Sequence, residues 1–214
     1  MSKKGVIFDF DGTLADTLSD VADAVNAGLR TFGLPERSIT EVCSFIGDGI
    51  FELCRRAAGE SSSVPIEDLA AAIGKYYQQH RMDRATPFPG IPELLDKLTE
   101  RGISMAVLSN KLHEHTQPMV DELFDKWSFV AVEGCSDEDL RKPDPRRALK
   151  IVKKMQLKPT QVMMVGDSSA DIITGINAGL IAVGVTWGYR SREELVNAGP
   201  KYLIDRPAEL LDII

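Results

Sequence analysis

Apolar and polar positions in this chain follow two rhythms. Unbroken apolar runs, the mark of a strand buried on both faces, occur at Gly5-Val6-Ile7-Phe8, at residues 103–108, at Val162-Met163-Met164-Val165 and at residues 181–185. Helical spacing fills much of the rest. Leu18, Val21, Val25, Leu29 and Phe32 recur on one helix face, with Asp16-Thr17 as a cap and Gly33 as a stop. A short helix is predicted from Ser38 to Phe45, and another through Phe51, Cys54 and Ala58, ended by Gly59. After the polar Ser61-Ser62-Ser63, Pro65 opens a fourth with Leu69, Ile73 and Tyr76 on one face. No strand pattern appears between Asp16 and Met82.

Beyond the turn-rich Pro87-Phe88-Pro89-Gly90 the rhythms alternate. A helix from Ile91 to Arg101 turns Leu94, Leu95 and Leu98 inward and stops at Gly102. The strand over 103–108 follows, then a helix from near His115 to Leu123 with Pro118 expected in its first turn. A short strand from Phe129 to Val132, a helix opened by Pro145 and running to Met155, the 162–165 strand and a helix from Ala170 to Ala178 come next. Strand 181–185, strand Tyr202 to Ile204 and a last helix from Ala208 complete the pattern. Strands alternating with helices predict a doubly wound, parallel α/β sheet. The all-helical stretch reads as a small cap inserted after the first strand. The expected division is a catalytic core of residues 1–15 plus 84–214 and a cap of 16–83, hinged near Ala15 and Arg84.

Composition narrows the function classes. With 214 residues and 43% hydrophobic content, the chain is long enough for one substantial core and a small second domain. A net charge of −7 argues against a nucleic-acid partner, whose phosphates need clustered Lys and Arg. No segment approaches the roughly 20 apolar residues of a membrane helix. Ser2-Lys3-Lys4 leads into an apolar run that Asp9 cuts too short for a secretory signal. Three cysteines, Cys43, Cys54 and Cys135, are odd in number and lack metal-type spacing, so a reduced cytoplasmic protein is expected. A monomer and a homodimer both remain compatible with this reading.

The candidate chemistry lies where the apolar runs end. The first strand ends in Asp9 and Asp11, whose spacing of two puts both carboxylates on one side if the chain stays extended, and Gly12 follows to turn the backbone. The second run ends in Ser109-Asn110 and the third in Gly166-Asp167, with Asp171 one helical turn on. Lys142 lies between them in Arg141-Lys142-Pro143-Asp144-Pro145. In an open α/β sheet the strand carboxyl ends share one edge where ligands bind, so Asp9, Asp11, Ser109, Lys142 and Asp167 are expected to meet in one cleft. Two bare carboxylates at about 4 Å repel by roughly 4 kcal/mol at an effective dielectric of 20, so such a group needs a cation.

Asp-Phe-Asp-Gly-Thr at 9–13, Ser109-Asn110, Lys142-Pro143 and Gly-Asp-Ser-Ser-Ala-Asp at 166–171 resemble, in order, the four motifs of the haloacid dehalogenase-like hydrolases. Within that superfamily the chain most resembles the phosphoglycolate phosphatases, over nearly its whole length. The resemblance implies a magnesium-dependent phosphatase acting on a small phosphorylated metabolite, with 2-phosphoglycolate as the expected substrate. It assigns Asp9 as nucleophile forming an aspartyl-phosphate and Asp11 as general acid and then base, its carboxylate free and its backbone carbonyl on the metal. Asp9, Asp11 and Asp167 would hold Mg2+, which favours oxygen ligands and retained waters. Lys142 would neutralise charge on Asp9 and the phosphoryl group, Gly12, Thr13, Ser109, Asn110 and Lys142 would bind phosphate, and Asp171 would stand behind the metal ligands or hold Lys142.

Specificity is expected from the cap. Gly47-Asp48-Gly49 opens a helix whose amides can meet an anion, and Arg55 and Arg56 can meet a substrate carboxylate in bidentate fashion. The competing reading of both arginines is an ordinary solvated helix face. A phosphosugar mutase of the same superfamily is a rival, disfavoured because no basic residue adjoins Gly47-Asp48-Gly49-Ile50. Dehalogenase chemistry is disfavoured because Asp11 is present. A pyrophosphatase remains open. A catalytically silent binder of phosphometabolites would lack the nucleophile, the acid or the lysine, and none is missing.

Overall fold

A computed structural model describes residues 5–60, 62–137 and 140–214. Ser2-Lys3-Lys4 and Ser61, read above from the sequence, lie outside the described residues. The elements in chain order are β1 (Gly5–Phe8), β2 (Ala15–Asp16), α1 (Leu18–Thr31), α2 (Ile39–Phe45), α3 (Ile50–Ala58), α4 (Ile66–His80), β3 (Thr86–Pro87), α5 (Ile91–Glu100), β4 (Ser104–Leu112) and α6 (His113–Leu123). They continue with β5 (Phe129–Cys135), α7 (Arg146–Lys154), β6 (Val162–Gly166), α8 (Ser169–Asn177), β7 (Ile181–Val185), α9 (Arg192–Ala198), β8 (Tyr202–Ile204) and α10 (Leu210–Ile213).

Six strands form one sheet in the order β5-β4-β1-β6-β7-β8, and every pairing in it is parallel. β1 is central: Phe8 is level with Val107 of β4 on one side and with Val165 of β6 on the other. The period of two sorts its side chains. Val6 and Phe8 join a core with Leu94, Leu95 and Leu98 of α5 and Met119 of α6, while Ile7 packs on the other face with Ala148, Ile151 and Val152 of α7. Both faces are therefore covered by helices, as a parallel sheet requires.

The four helices α1–α4 all fall between β2 and β3. α1 packs along α4, and Gly28 makes that contact possible: a Cβ there would run into Ile73. α2 begins with a capping box in which Ser38 and Glu41 satisfy each other's backbone amides. Asp20, almost fully buried in α1, accepts hydrogen bonds from the Arg84 and Ala85 amides at 3.1 and 2.9 Å and so ties the start of the helical stretch to its end.

Several expectations are corrected. β2 and β3 pair as a two-residue antiparallel ribbon that the hydrophobic pattern did not reveal, since two residues carry no period. β4 runs on to Leu112, so Ser109 and Asn110 lie within the strand rather than beyond its end, and β5 reaches Cys135. α6 starts directly off β4 at His113, which moves Pro118 from the first turn into the helix interior. The amide that proline lacks would have paired with the Glu114 carbonyl, and Glu114 is exposed, so water can serve that oxygen. On α4 it is Tyr77, not Tyr76, that is buried with Leu69 and Ile73.

Candidate active site

Parallel pairing brings the carboxyl ends of β1, β4 and β6 to one edge, at the point where the connections diverge to either side of β1. The Asp9 amide continues the ladder onto the Val165 carbonyl at 2.9 Å, so Asp9 stands beside the Gly166-Asp167 turn. Gly12 then turns at φ +81°, and a Cβ there would collide with the Asp167 carboxylate. Gly188 is under the same constraint, since a Cβ there would collide with both Asp167 and the Gly12 carbonyl, so two glycines form a close cradle against Asp167. Within it, the Thr13 hydroxyl donates to Asp167 Oδ1 at 3.0 Å and the Tyr189 amide to Oδ2 at 2.7 Å.

Lys142 is the hub of the charges. Its Nζ lies 2.7 Å from Asp9 Oδ1 and 2.6 Å from Asp171 Oδ1, and it donates to the Leu108 carbonyl at 3.1 Å. Asp171 is fully buried and its other oxygen accepts from the Ser168 amide and hydroxyl, which orients it toward the lysine. Burial disfavours charge on Lys142, yet Asp171 and Asp9 outweigh it and hold the ammonium above its ordinary pKa. Asn110 fixes the loop that carries Lys142: its Oδ1 accepts from the Lys142 amide at 2.8 Å, while its Nδ2 reaches the Lys142 carbonyl at 3.2 Å and the Gly47 carbonyl at 3.0 Å. The Ser109 carbonyl is held by Arg147, which also reaches the Glu133 carbonyl.

Asp9, Asp167 and Asp171 each place one oxygen within 4.8 Å of the others. One ammonium does not balance them. Burial first, then the Asp171 carboxylate, pushes Asp9 well above the ordinary carboxylate pKa despite Lys142. The same two causes push Asp167 up to about 7. Buried carboxylates with raised pKa values in an all-oxygen, glycine-cradled cluster fit a hard divalent cation, whose charge would offset the repulsion.

Asp11 is not part of that cluster and is not free. Its oxygens lie 3.0 and 3.1 Å from Lys111 Nζ, and the Thr17 hydroxyl donates to Oδ1 at 2.5 Å. Lys111 is itself buried, 4.6 Å above the Tyr77 ring. Burial works against its charge, but Asp11 and Tyr77 raise its pKa above the ordinary value.

A cavity between this edge and the helices brings together Asp9, Asp11, Ser109, Asn110 and Asp167 from the sheet side with Gly47 and Gly49 from the helical side. Val21, Ile46, Ile50, Leu53 and Ile73 make its far wall apolar. Arg55 and Arg56 do not reach it. Arg55 is exposed and pairs with Glu52, and Arg56 pairs with Glu52 and, at 2.7 Å, with Asp48. They brace the N-terminal turn of α3 instead of facing a ligand. The cations that do line the cavity are Lys111 and Arg190. Arg190 donates to the Cys43, Ser44 and Ile46 carbonyls at the end of α2, and Arg141 to the Asp48 carbonyl. Sequence reading missed Lys111, Arg190 and Tyr189; Trp187, which the sequence reads as packing rather than a binding platform, packs against the core and its indole donates to the Thr13 carbonyl at 3.0 Å. Adjacency to Ser109-Asn110 was the only local signal for Lys111; the others come from a loop with no pattern of its own.

The fold and this edge define a class that the comparisons identify. Residues 6–185 match the family described as haloacid dehalogenase-like hydrolase, and the chain belongs to that family. It is a phosphatase, a phosphoric monoester hydrolase, by its relatives. It is 33% identical to a phosphoglycolate phosphatase of Mannheimia succiniciproducens over 97% of this chain and 96% of that one. It is 32% identical to phosphoglycolate phosphatase 1 of Pseudomonas aeruginosa over 96% of this chain and 78% of that one. A solved structure from Haemophilus somnus, described as a "predicted phosphoglycolate phosphatase", superposes with a TM-score of 0.91 at 30% identity, covering 100% of this chain and 98% of the other.

Proposed function

We propose that the chain hydrolyses 2-phosphoglycolate through a covalent intermediate on Asp9, with Mg2+ as cofactor. The observation that carries the chemistry is the buried Asp9, 2.7 Å from Lys142 and clustered with Asp167 and Asp171. The names of the full-length relatives support the substrate.

Phosphate monoester hydrolysis is among the slowest uncatalysed reactions, so nucleophilic, acid–base and electrostatic terms must combine. Asp9 attacks phosphorus and its new O–P bond replaces the ester O–P bond. The leaving oxygen takes a proton from Asp11 and departs as the alcohol. Asp11, now a carboxylate, takes a proton from water as that water attacks the phosphorus, and the O–P bond to Asp9 breaks to release inorganic phosphate. Lys142 keeps positive charge against Asp9 throughout and Ser109 holds phosphoryl oxygens, while Gly12 and Thr13, whose amides donate to the Ala15 and Phe10 carbonyls, shape the turn beside them. Asp9, Asp167 and the Asp11 carbonyl would hold the magnesium, which when bound supplies positive charge against the phosphoryl oxygens. The helices between residues 16 and 83 act as a cap that excludes water from the cleft, with the β2–β3 ribbon at its hinge. Three free cysteines suit a reducing cytoplasm.

Initial rates on 2-phosphoglycolate, p-nitrophenyl phosphate, β-glucose 1-phosphate, nucleotides and pyrophosphate, with Mg2+ and with chelator, test this reading. A kcat/KM for 2-phosphoglycolate far above the rest, lost on chelation, is the expected result. A flat profile removes the substrate, unchanged rates in chelator remove the metal, and no turnover at all removes the enzyme assignment.

A further inference from the structure

We infer that Lys111 is the recognition point for a second anionic group on the substrate, and that this group frees Asp11 for catalysis by taking its place on the ammonium. The inference rests on the phosphatase reading above and deepens it.

Of Lys111 and Arg190, Arg190 is committed to backbone carbonyls of the 43–46 segment and lies 3.8 Å from Glu194. Lys111 is paired with a carboxylate that the proposed reaction needs. Among the described residues, Asp11 is the one carboxylate paired with it, and Asp11 must turn to the leaving oxygen for the reaction to proceed. If Asp11 leaves and nothing replaces it, a buried ammonium keeps Tyr77, by its ring face and its hydroxyl, but no counter-charge. Stranding one member of a buried charge pair is strongly unfavourable, because the remaining charge has lost both water and partner. A neutral substrate tail therefore leaves Asp11 locked on Lys111. A carboxylate tail exchanges with Asp11, pair for pair, and Asp11, freed from the ammonium, takes the acidic proton of the bound phosphate monoanion and can pass it to the leaving oxygen.

The geometry also limits the tail. Asp11 contacts both Lys111 and the leaving oxygen, so the exchanging group lies within about two hydrogen-bond lengths, ~6 Å, of that oxygen. That distance fits an acid group one or two carbons from the ester oxygen. The substrate class is thus the phosphate ester of a short hydroxy acid.

The test compares 2-phosphoglycolate with ethyl phosphate, which has the same length and no carboxylate, in wild type, K111M and K111R. Wild type is expected to prefer 2-phosphoglycolate by about hundredfold or more in kcat/KM. K111M is expected to lose that preference by losing turnover of 2-phosphoglycolate while gaining on ethyl phosphate, since the ammonium that locks Asp11 is gone, and K111R is expected to restore most of the preference by keeping the charge. D11N supplies a binding readout that survives poor folding of K111M. With Asp11 no longer competing, its calorimetric Kd for 2-phosphoglycolate falls relative to that for ethyl phosphate beyond the wild-type KM ratio. Equal losses on both esters in K111M, or no gain in selectivity in D11N, overturn the inference and leave the phosphatase and its substrate standing. A wild-type enzyme that turns over p-nitrophenyl phosphate but treats the two esters alike overturns the inference and the substrate together, while the phosphatase chemistry stands.

Discussion

The sheet edge and the helical wall face each other across one cavity and are built on opposite terms. On the edge, the ionic side chains Asp9, Asp167, Asp171 and Lys142 are buried and held by named partners: Asp9 by Lys142, Asp171 by Lys142 and Ser168, Asp167 by Thr13 and Tyr189. On the wall, most side chains are apolar, and main-chain carbonyls of residues 43–48 accept hydrogen bonds across the gap from Arg190, Arg141 and Asn110. Charge is pre-set where bonds change, because buried dipoles and ions that need not reorganise are worth most in a dry site. The wall supplies shape and dryness, and its backbone contacts make its position nearly independent of its own side chains. Substitutions on the edge should therefore act on kcat, and those at the contact between edge and wall on KM.

The largest effect should come from the edge. Asp9→Asn keeps the shape and removes the nucleophile, and kcat on any phosphate monoester is expected to fall by about 10⁴ or more, with no phosphoprotein trapped by rapid acid quench. Lys142→Met leaves Asp9 and Asp171 as unpartnered buried carboxylates, so it should lower kcat by about 10²–10³ and destabilise the fold by about 3–5 kcal/mol in denaturant titration. A kcat loss without a stability loss would mean the lysine is less buried in charge than its contacts indicate.

The next effect couples the edge to pH. Asp9 lies above its ordinary pKa and Asp167 at about 7, so between about pH 4 and that value the metal-free native state keeps protons that the unfolded chain has already released. Stability of the metal-free protein should fall as pH rises through this window. Mg2+ should offset that loss, raising Tm by more at pH 8 than at pH 5.5 in thermal melts with and without chelator. An equal shift at both pH values would place the cation away from these carboxylates.

The smallest effects separate wall from edge. Arg190→Ala removes the contact to the end of α2 and should raise KM about tenfold with kcat little changed. Arg55→Ala, on an exposed pair with Glu52, should change neither beyond about twofold. Steady-state kinetics of the two variants side by side measure how far the wall's role is confined to its contact with the edge.

Much of the edge was legible in the sequence because its residues terminate buried strands. An apolar run ending in Asp9 or Asp167 contradicts ordinary burial preferences, and the contradiction marks a site. Lys111 was not legible. The run 103–108 stops being apolar at Ser109, so β4 seemed to end there, yet main-chain pairing with β5 carries it to Leu112 and points Lys111 into the cavity. Arg55 and Arg56, for which the sequence left a substrate contact and a solvated face both open, lie outside the cavity lining: periodicity places them on a helix, but which way that helix faces depends on its packing against α1 and α4. The β2–β3 ribbon and the Asp20 tie to Arg84 are long-range pairings of the same kind, invisible to any local window.

The central place of β1 has a consequence for biosynthesis. Its four residues leave the ribosome before both of its neighbours in the sheet, β4 after the whole helical stretch and β6 only once Val165 has been made. At about 5–20 residues per second, this fully buried strand waits on the order of ten seconds for its second partner. During that wait α1–α4 can assemble from neighbouring sequence, whereas β1 remains an unpaired strand on a nascent chain, and it is this segment that a chaperone acting during translation would need to shield.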